Sequence, residues 1–379
     1  MAQTTAGQEF PAEAGSFAAT NRRSVLRTLG LGGGAALAAS ALAACSSSRG
    51  STAAAASTIG DFPKTPAMKF AFINHVTTNS FFAPTQSGMK DAAALLGLPA
   101  PSWTGSENGV VTEMVSAFQT AISAGVDGIA IPLTDANAFI APTKQALAAG
   151  IPVIAYNANA SGNFALTYVG QDLYQSGYQM GLKIASEVTS GDILVGISQP
   201  GSLNVQPRLD GIIAALKSAA PSVTVHTVDT GAAQADELNA MESAYQGLKS
   251  AKGIYAVDAG STASIAQMIT KYSIKGQVHA GGFDLLADTI SGVNSGALDF
   301  TIDQSAYLQG FLPVLYLYMY RLTGTLVFPP ATDTGLTFVT SSNVGPYASS
   351  NSWIEGGTNK ALGSMPSSIG IPAASTVQS

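Results

Sequence analysis

Thr301-Ile302-Asp303-Gln304-Ser305-Ala306-Tyr307-Leu308-Gln309-Gly310 leads out of a strand-like stretch and into a long helical one. Ala297, Phe300 and Ile302 give the strand its apolar side, Asp303 and Gln304 close it, and an apolar helix pattern follows over residues 307–322. We read the stretch as a hinge between two halves of the chain, with its polar tip in contact with a ligand. An ordinary strand-to-helix turn is the competing reading. Repetition weighs against it, because several other strand ends in the chain have the same kind of tip.

Outward from this stretch, short apolar runs alternate with helical patterns. Runs of strand type occupy residues 69–74, 128–133, 152–156, 192–198, 223–228, 253–257, 278–283 and 298–302. Apolar spacing near the helical 3.6 marks segments 85–96, 112–124, 138–149 and 174–188. Strands separated by helices imply βαβ units, parallel sheets and right-handed crossovers, so the fold class is α/β. Gly125 and Gly150 each stand just past a helical pattern, where a left-handed residue satisfies the last carbonyls.

In open parallel sheets, ligands sit outside the carboxyl ends of the strands. Those ends read Asn74 and His75, Thr134 and Asp135, Asn157, Gln199, Asp258, Asp284 and Gln304. Nearly all are amides or carboxylates. Aimed at one cleft they suit a neutral ligand bearing many hydroxyls, since carboxylates accept, amides do both and an arginine donates a fork. Polar residues also merely solvate strand ends, so the set is the signal and no single member is.

Two further stretches add to the set. Asn79-Ser80-Phe81-Phe82 follows the first strand; an asparagine with two aromatic rings can bond a hydroxyl and cover the C–H face of a sugar. A hydrophobic staple for the next helix is the other account of the rings, and one ring can serve each purpose. In Gln206-Pro207-Arg208-Leu209-Asp210-Gly211 a cation opens a helix, against the helix dipole. Asp284 or Asp258 facing Arg208 across the cleft explains it; a surface pair with Asp210 is the alternative.

With 379 residues, 46% of them hydrophobic and 11% charged, the chain can bury two cores at ~150 residues per domain. The net charge of −6 is spread out, so neither a nucleic-acid footprint nor an anionic-lipid patch is visible. The lone cysteine, Cys45, excludes a disulfide framework and a cysteine metal site. Asn21-Arg22-Arg23-Ser24-Val25-Leu26-Arg27 and the small apolar run 29–44 form a twin-arginine export pattern, too short to stay as a membrane span. Leu42-Ala43-Ala44-Cys45 resembles a bacterial lipobox, which implies cleavage before Cys45 and a lipid on its thiol. Residues 46–65, rich in Ser, Ala, Thr and Gly, read as a tether.

Asn79-Ser80-Phe81-Phe82, Pro132-Leu133-Thr134-Asp135, Arg208 with Gly211, Gly282-Phe283-Asp284 and Thr301-Ile302-Asp303-Gln304 resemble, in order and spacing, the motif series of the ribose- and galactose-type periplasmic sugar-binding proteins. These are the solute receptors of ABC importers, and the resemblance runs from about Met68 to about Thr340. It implies two Rossmann-like lobes joined by three crossovers and closing on a monosaccharide. With the export pattern and lipobox giving a signal peptide over 1–44 and the Ser/Ala-rich stretch a tether over 45–66, it implies a first lobe of 67–164 plus 305–332 and a second of 165–304 plus 333–370. The ligand set it implies is Asn79, Phe81 and Phe82 with Arg208, Asp258, Asp284 and Gln304, to which the strand ends add Asp135 and Asn157. Asn157-Ala158 stands where ribose-type proteins have Asp-Arg, and Asp258 where they have Asn, which argues against ribose itself. Tyr168-Val169-Gly170-Gln171-Asp172 and Tyr307-Leu308-Gln309-Gly310 are similar to a branch expected to take other pentoses, hexoses or polyols.

Other chemistries lack their residues. The three histidines, His75, His226 and His279, form no i, i+4 pair, no Gly-x-Gly-x-x-Gly follows a strand and Gly-x-Ser-x-Gly is absent. The expectation is a non-enzymatic, cofactor-free and metal-free monomer on the extracytoplasmic face of the cell membrane. It would bind a neutral sugar or polyol and pass it to ABC permease subunits. A sugar sensor for a membrane kinase and an exported sugar-active enzyme are the alternatives.

Overall fold

The computed structural model describes residues 67–349. The export signal over 1–44, the tether over 45–66, Cys45 and the end of the segment expected at 333–370 lie outside the described residues.

In chain order the elements begin with β1 (Phe70–Asn74), α1 (Ala83–Leu95), β2 (Ser102–Gly105), α2 (Val111–Ser123), β3 (Gly128–Ile131), α3 (Ile140–Ala148), β4 (Val153–Tyr156) and β5 (Tyr168–Gly170). There follow α4 (Leu173–Glu187), β6 (Ser190–Ile197), α5 (Gln206–Ala219), β7 (Ser222–Asp229), α6 (Gln234–Gly247), β8 (Gly253–Ala256), α7 (Ala259–Tyr272), β9 (His279–Phe283), α8 (Ala287–Ser295) and β10 (Phe300–Asp303). Last come α9 (Leu308–Thr323), β11 (Ala331–Asp333), β12 (Thr337–Thr340) and α10 (Gly345–Ser349).

The strands form two six-stranded sheets ordered β11-β5-β4-β3-β1-β2 and β12-β10-β9-β8-β6-β7. Strand for strand, the second order repeats the first. Among these strands only β12 runs antiparallel to its neighbour, β10. Each sheet with its helices makes one lobe.

The central strands are buried on both faces, which is why they read as unbroken apolar runs. Along β1, Phe70 and Phe72 pack with Met89 of α1 and Val314 and Leu317 of α9. Their neighbours Ala71 and Ile73 turn to Met114 and Phe118 of α2. In the second lobe Ile193, Val195 and Ile197 of β6 pack with Met180, Ile184 and Leu209, while Leu194 meets Met241 and Ile254 on the other face. Gly125 and Gly150 have φ of 61° and 75°, the left-handed conformation expected past their helices.

All eight runs read as strands from the sequence hold one. The sequence did not yield β2, β5, β11 and β12, three of which are sheet edges. These three edges are short and half-wet, unlike the eight-residue edge β7: Ser102-Trp103-Thr104-Gly105 alternates exposed and half-buried positions and has no apolar run. Pairing of Tyr168–Gly170 with β4 and β11 carries the first sheet past position 164, where its lobe was expected to end.

The chain passes between the sheets three times, at residues 171–172, 304–307 and 334–336. Buried amides tie these crossings together. Gln309 Nε2 donates to Gln304 Oε1 at 3.0 Å and to Thr334 Oγ1 at 3.2 Å, and Gln171 Nε2 donates to the Gly335 carbonyl at 3.0 Å. Burial strengthens each bond and makes a missing partner costly, so the crossings are held in one arrangement.

Helix pairs flank the crossings at very short range. A Cβ on Gly310 of α9 would collide with the Thr85 carbonyl of α1, and one on Gly88 with the Tyr307 carbonyl. Gly177 of α4 and Gly211 of α5 meet the same limit against the Arg208 and Tyr174 carbonyls. Only glycine lets these backbones touch.

Candidate ligand-binding cleft

The carboxyl ends of the two sheets meet at one cleft. Asn79, Phe81, Phe82 and Asn157 line it from the first lobe. Arg208, Asp258 and Asp284 line it from the second, with Gln304 at a crossing. Eight of the nine residues expected to touch ligand are therefore brought together.

Asp135 is not one of them. Its Oδ1 accepts the backbone N–H of Ala138 at 2.7 Å and of Asn137 at 2.8 Å, and these bonds hold its carboxyl below the usual range. It caps the turn into α3 and does not line the cleft.

In the first lobe the two adjacent rings divide the work. Phe82 is buried in the core against Trp103, its ring centroid 5.8 Å away, and borders the cleft from there. Phe81 stands edge-on to it at 4.6 Å, half-buried, and lines the cleft. Asn79 fixes both by accepting the Phe81 N–H at 2.9 Å. Asn157 has φ of 62°, a strained value for a non-glycine residue, and donates from Nδ2 to Gln309 Oε1 at 3.1 Å.

The second lobe supplies the charge. Arg208 is only 3% exposed, so it is no surface residue; Asp210 instead accepts from Gln206 Nε2 at 2.8 Å. The guanidinium donates to the Val257 carbonyl and to Gln171 Oε1, each at 3.0 Å, and lies 4.0 Å over the Phe283 ring. Its Nε is buried and finds no partner among the described residues. Asp284, at φ of 74°, accepts from Gln304 Nε2 at 2.6 Å. Burial pushes its carboxyl up to about 6, with Arg208 pulling the other way, so it is ionised at neutral pH. A continuous chain of hydrogen bonds thus runs Asn157, Gln309, Gln304, Asp284, from the first lobe through a crossing to the second.

Asp258 accepts the Ser261 N–H from Oδ1 and the Ser198 N–H from Oδ2, both at 2.9 Å. Beside it lies a residue the sequence did not single out, Glu237 of α6, which is buried and lines the same cleft. Gln234-Ala235-Asp236-Glu237 reads as the wet first turn of a helix, so no local signal marks it.

The lobes also touch across the cleft. Leu203 of the second lobe packs against the first lobe's core, and its N–H donates to the Thr134 carbonyl at 2.9 Å. Asn204 Nδ2 lies 3.1 Å from His75 Nε2. Burial lowers the His75 imidazole to about 4, so at neutral pH it is uncharged and accepts this bond.

Far from the cleft, at the amino ends of β9 and β10, Glu187, His279 and Asp299 place ligand-type atoms near one another. Their bonds are internal: Lys183 pairs with Glu187 at 2.7 Å and His279 with Asp299 at 3.1 Å. Among the described residues no helix is long and apolar enough to cross a membrane.

Two sheets of one topology, sharing a polar cleft and joined by three crossings, define a two-lobed solute receptor. The chain belongs to the periplasmic binding protein domain family, which it matches over residues 70–324. It is a solute-binding receptor of extracytoplasmic type and not an enzyme. The xylose/arabinose-binding protein XylF of Sulfolobus acidocaldarius is 45% identical over 304 residues, spanning 76% of this chain and 75% of that protein. Among solved structures, a carbohydrate transporter protein of Acidothermus cellulolyticus 11B in complex with myo-inositol is 27% identical, with a TM-score of 0.67 over 75% of this chain and 97% of its own. A solute-binding protein of Burkholderia graminis C4D1M in complex with D-arabinose is 25% identical, with a TM-score of 0.67 over 73% and 96%.

Proposed function

We propose that the chain is the sugar receptor of an ABC importer and binds a neutral monosaccharide or polyol through Asn79, Phe81, Phe82, Asn157, Arg208, Asp258, Asp284 and Gln304. The observation that supports this most is the buried Arg208 Nε, a donor at the cleft without a partner among the described residues, in a cleft that Asp258 and Asp284 also line. Amide, carboxylate and guanidinium together match alternating hydroxyls, while the Phe81 edge gives apolar cover. Specificity then comes from the polar groups that a wrong sugar leaves unpaired. The xylose/arabinose relative and the arabinose- and inositol-bound structures favour a pentose or cyclitol. Calorimetry with xylose, arabinose and myo-inositol is expected to give at least one Kd far below ~1 mM. Failure of all of these and of the common hexoses to bind would overturn the reading.

We further assign the first lobe to residues 67–170 with α9 and β11, and the second to α4 through β10 with β12 and α10. This division rests on strand pairing. The receptor works as a monomer with permease subunits, exported through its twin-arginine signal and held to the membrane by lipid on Cys45. Cys45→Ser is expected to move the protein from the membrane pellet to the soluble extracytoplasmic fraction. Retention in the pellet would count against the anchor.

A further inference from the structure

We infer that Glu237 is a specificity-determining residue of the cleft, which in its acid form joins Asp258 in a proton-sharing pair that offers oxygens to the ligand's hydroxyls without a second negative charge. The inference rests on the sugar-receptor reading.

Geometry carries it. Glu237 comes from α6, an element with no other residue in the expected ligand set, yet its side chain is buried and lines the cleft beside Asp258 and Gly260. It lies so close to Gly260 that a Cβ there would overlap its carboxyl oxygens. Gly260 thus leaves room for this carboxyl at the start of α7. Because Asp258 already accepts a backbone N–H on each oxygen, it is the acceptor of the pair. Glu237, whose carboxyl is pushed up by burial and by the neighbouring Asp258, is the member that holds the proton and donates. Its second oxygen remains as an acceptor, and a carboxylic acid can rotate its O–H toward ligand instead.

The charges facing Glu237 agree. Burial first, then Asp258 and after it Asp236 on its own helix, push its carboxyl up to about 9. Arg208 and Asp284 interact electrostatically with Asp258. Among these groups Arg208 is the only cation, and Asp284 and Asp258 share it, so nothing is left to neutralise an ionised Glu237.

Two substitutions test the inference by calorimetry on the full chain with xylose, arabinose and myo-inositol. Glu237→Gln keeps a donor and an acceptor in the same shape; it is expected to bind within about threefold of wild type at pH 7. From pH 8 to pH 10 wild-type affinity should fall at least tenfold, and that of Glu237→Gln should stay level. Glu237→Ala should lose at least tenfold at pH 7. Stability supplies a second readout. The unfolded side chain releases its proton near 4.5 and the folded one near 9. The pair's contribution is therefore complete below 4.5 and is lost as pH rises through about 9. Glu237→Gln should flatten that slope in thermal melts. An unchanged alkaline loss in Glu237→Gln, or wild-type affinity in Glu237→Ala, overturns the assignment. If wild type binds none of the sugars, the receptor reading itself fails first.

Discussion

Arg208→Ala is expected to remove measurable binding of xylose, arabinose and myo-inositol, a loss of about 3–5 kcal/mol or roughly a hundred- to several-thousand-fold in Kd. The guanidinium is the one cation among the cleft residues described, and Asp284 and Asp258 share its charge. Without it two buried carboxylates face each other, and the bonds to the Val257 carbonyl and Gln171 lose their donor. Arg208→Lys should recover little, because an ammonium cannot reach two partners in a fixed fork or lie flat over the Phe283 ring. Calorimetry reads both variants, with circular dichroism confirming that they fold. Binding by Arg208→Ala within tenfold of wild type would remove Arg208 from the site.

Gly310→Ala carries the largest expected effect on stability. The added methyl meets the Thr85 carbonyl, which is backbone and cannot swing aside as a side chain would. Either α9 moves off α1 or the strain is kept, at a cost of about 3 kcal/mol. Because α9 leads directly out of a crossing, the shift also disturbs Gln309 and its partners Gln304 and Thr334. Gly247→Ala, at the end of α6 with open space around it, is the contrast and should be neutral or slightly stabilising. Chemical denaturation compares the two, and equal midpoints would mean that the helix contact is not tight.

The contrast between what the sequence revealed and what it hid follows from periodicity. Strands buried on both faces, such as Phe70–Asn74, have to be apolar throughout and stand out. Asn157, Asp284 and Gln304 were legible because each directly follows or closes such a run, where a polar residue has few reasons to be. Asp135 looked the same in sequence, but its carboxylate bends back to cap its own turn, a choice made by local backbone geometry. Glu237 was hidden for the opposite reason, since acids in a helix's first turn are ordinary and only the fold brings this one against Asp258. The bonds from Gln309 and Gln171 to the third crossing span 25 and 164 residues, a distance no local pattern reports.

The edge strands β11 and β12 bear on how this protein is made. Each completes a different sheet, and both emerge from the ribosome after almost every other element. A nascent chain ending before residue 331 therefore exposes two open β edges at once, and the first sheet closes before the second.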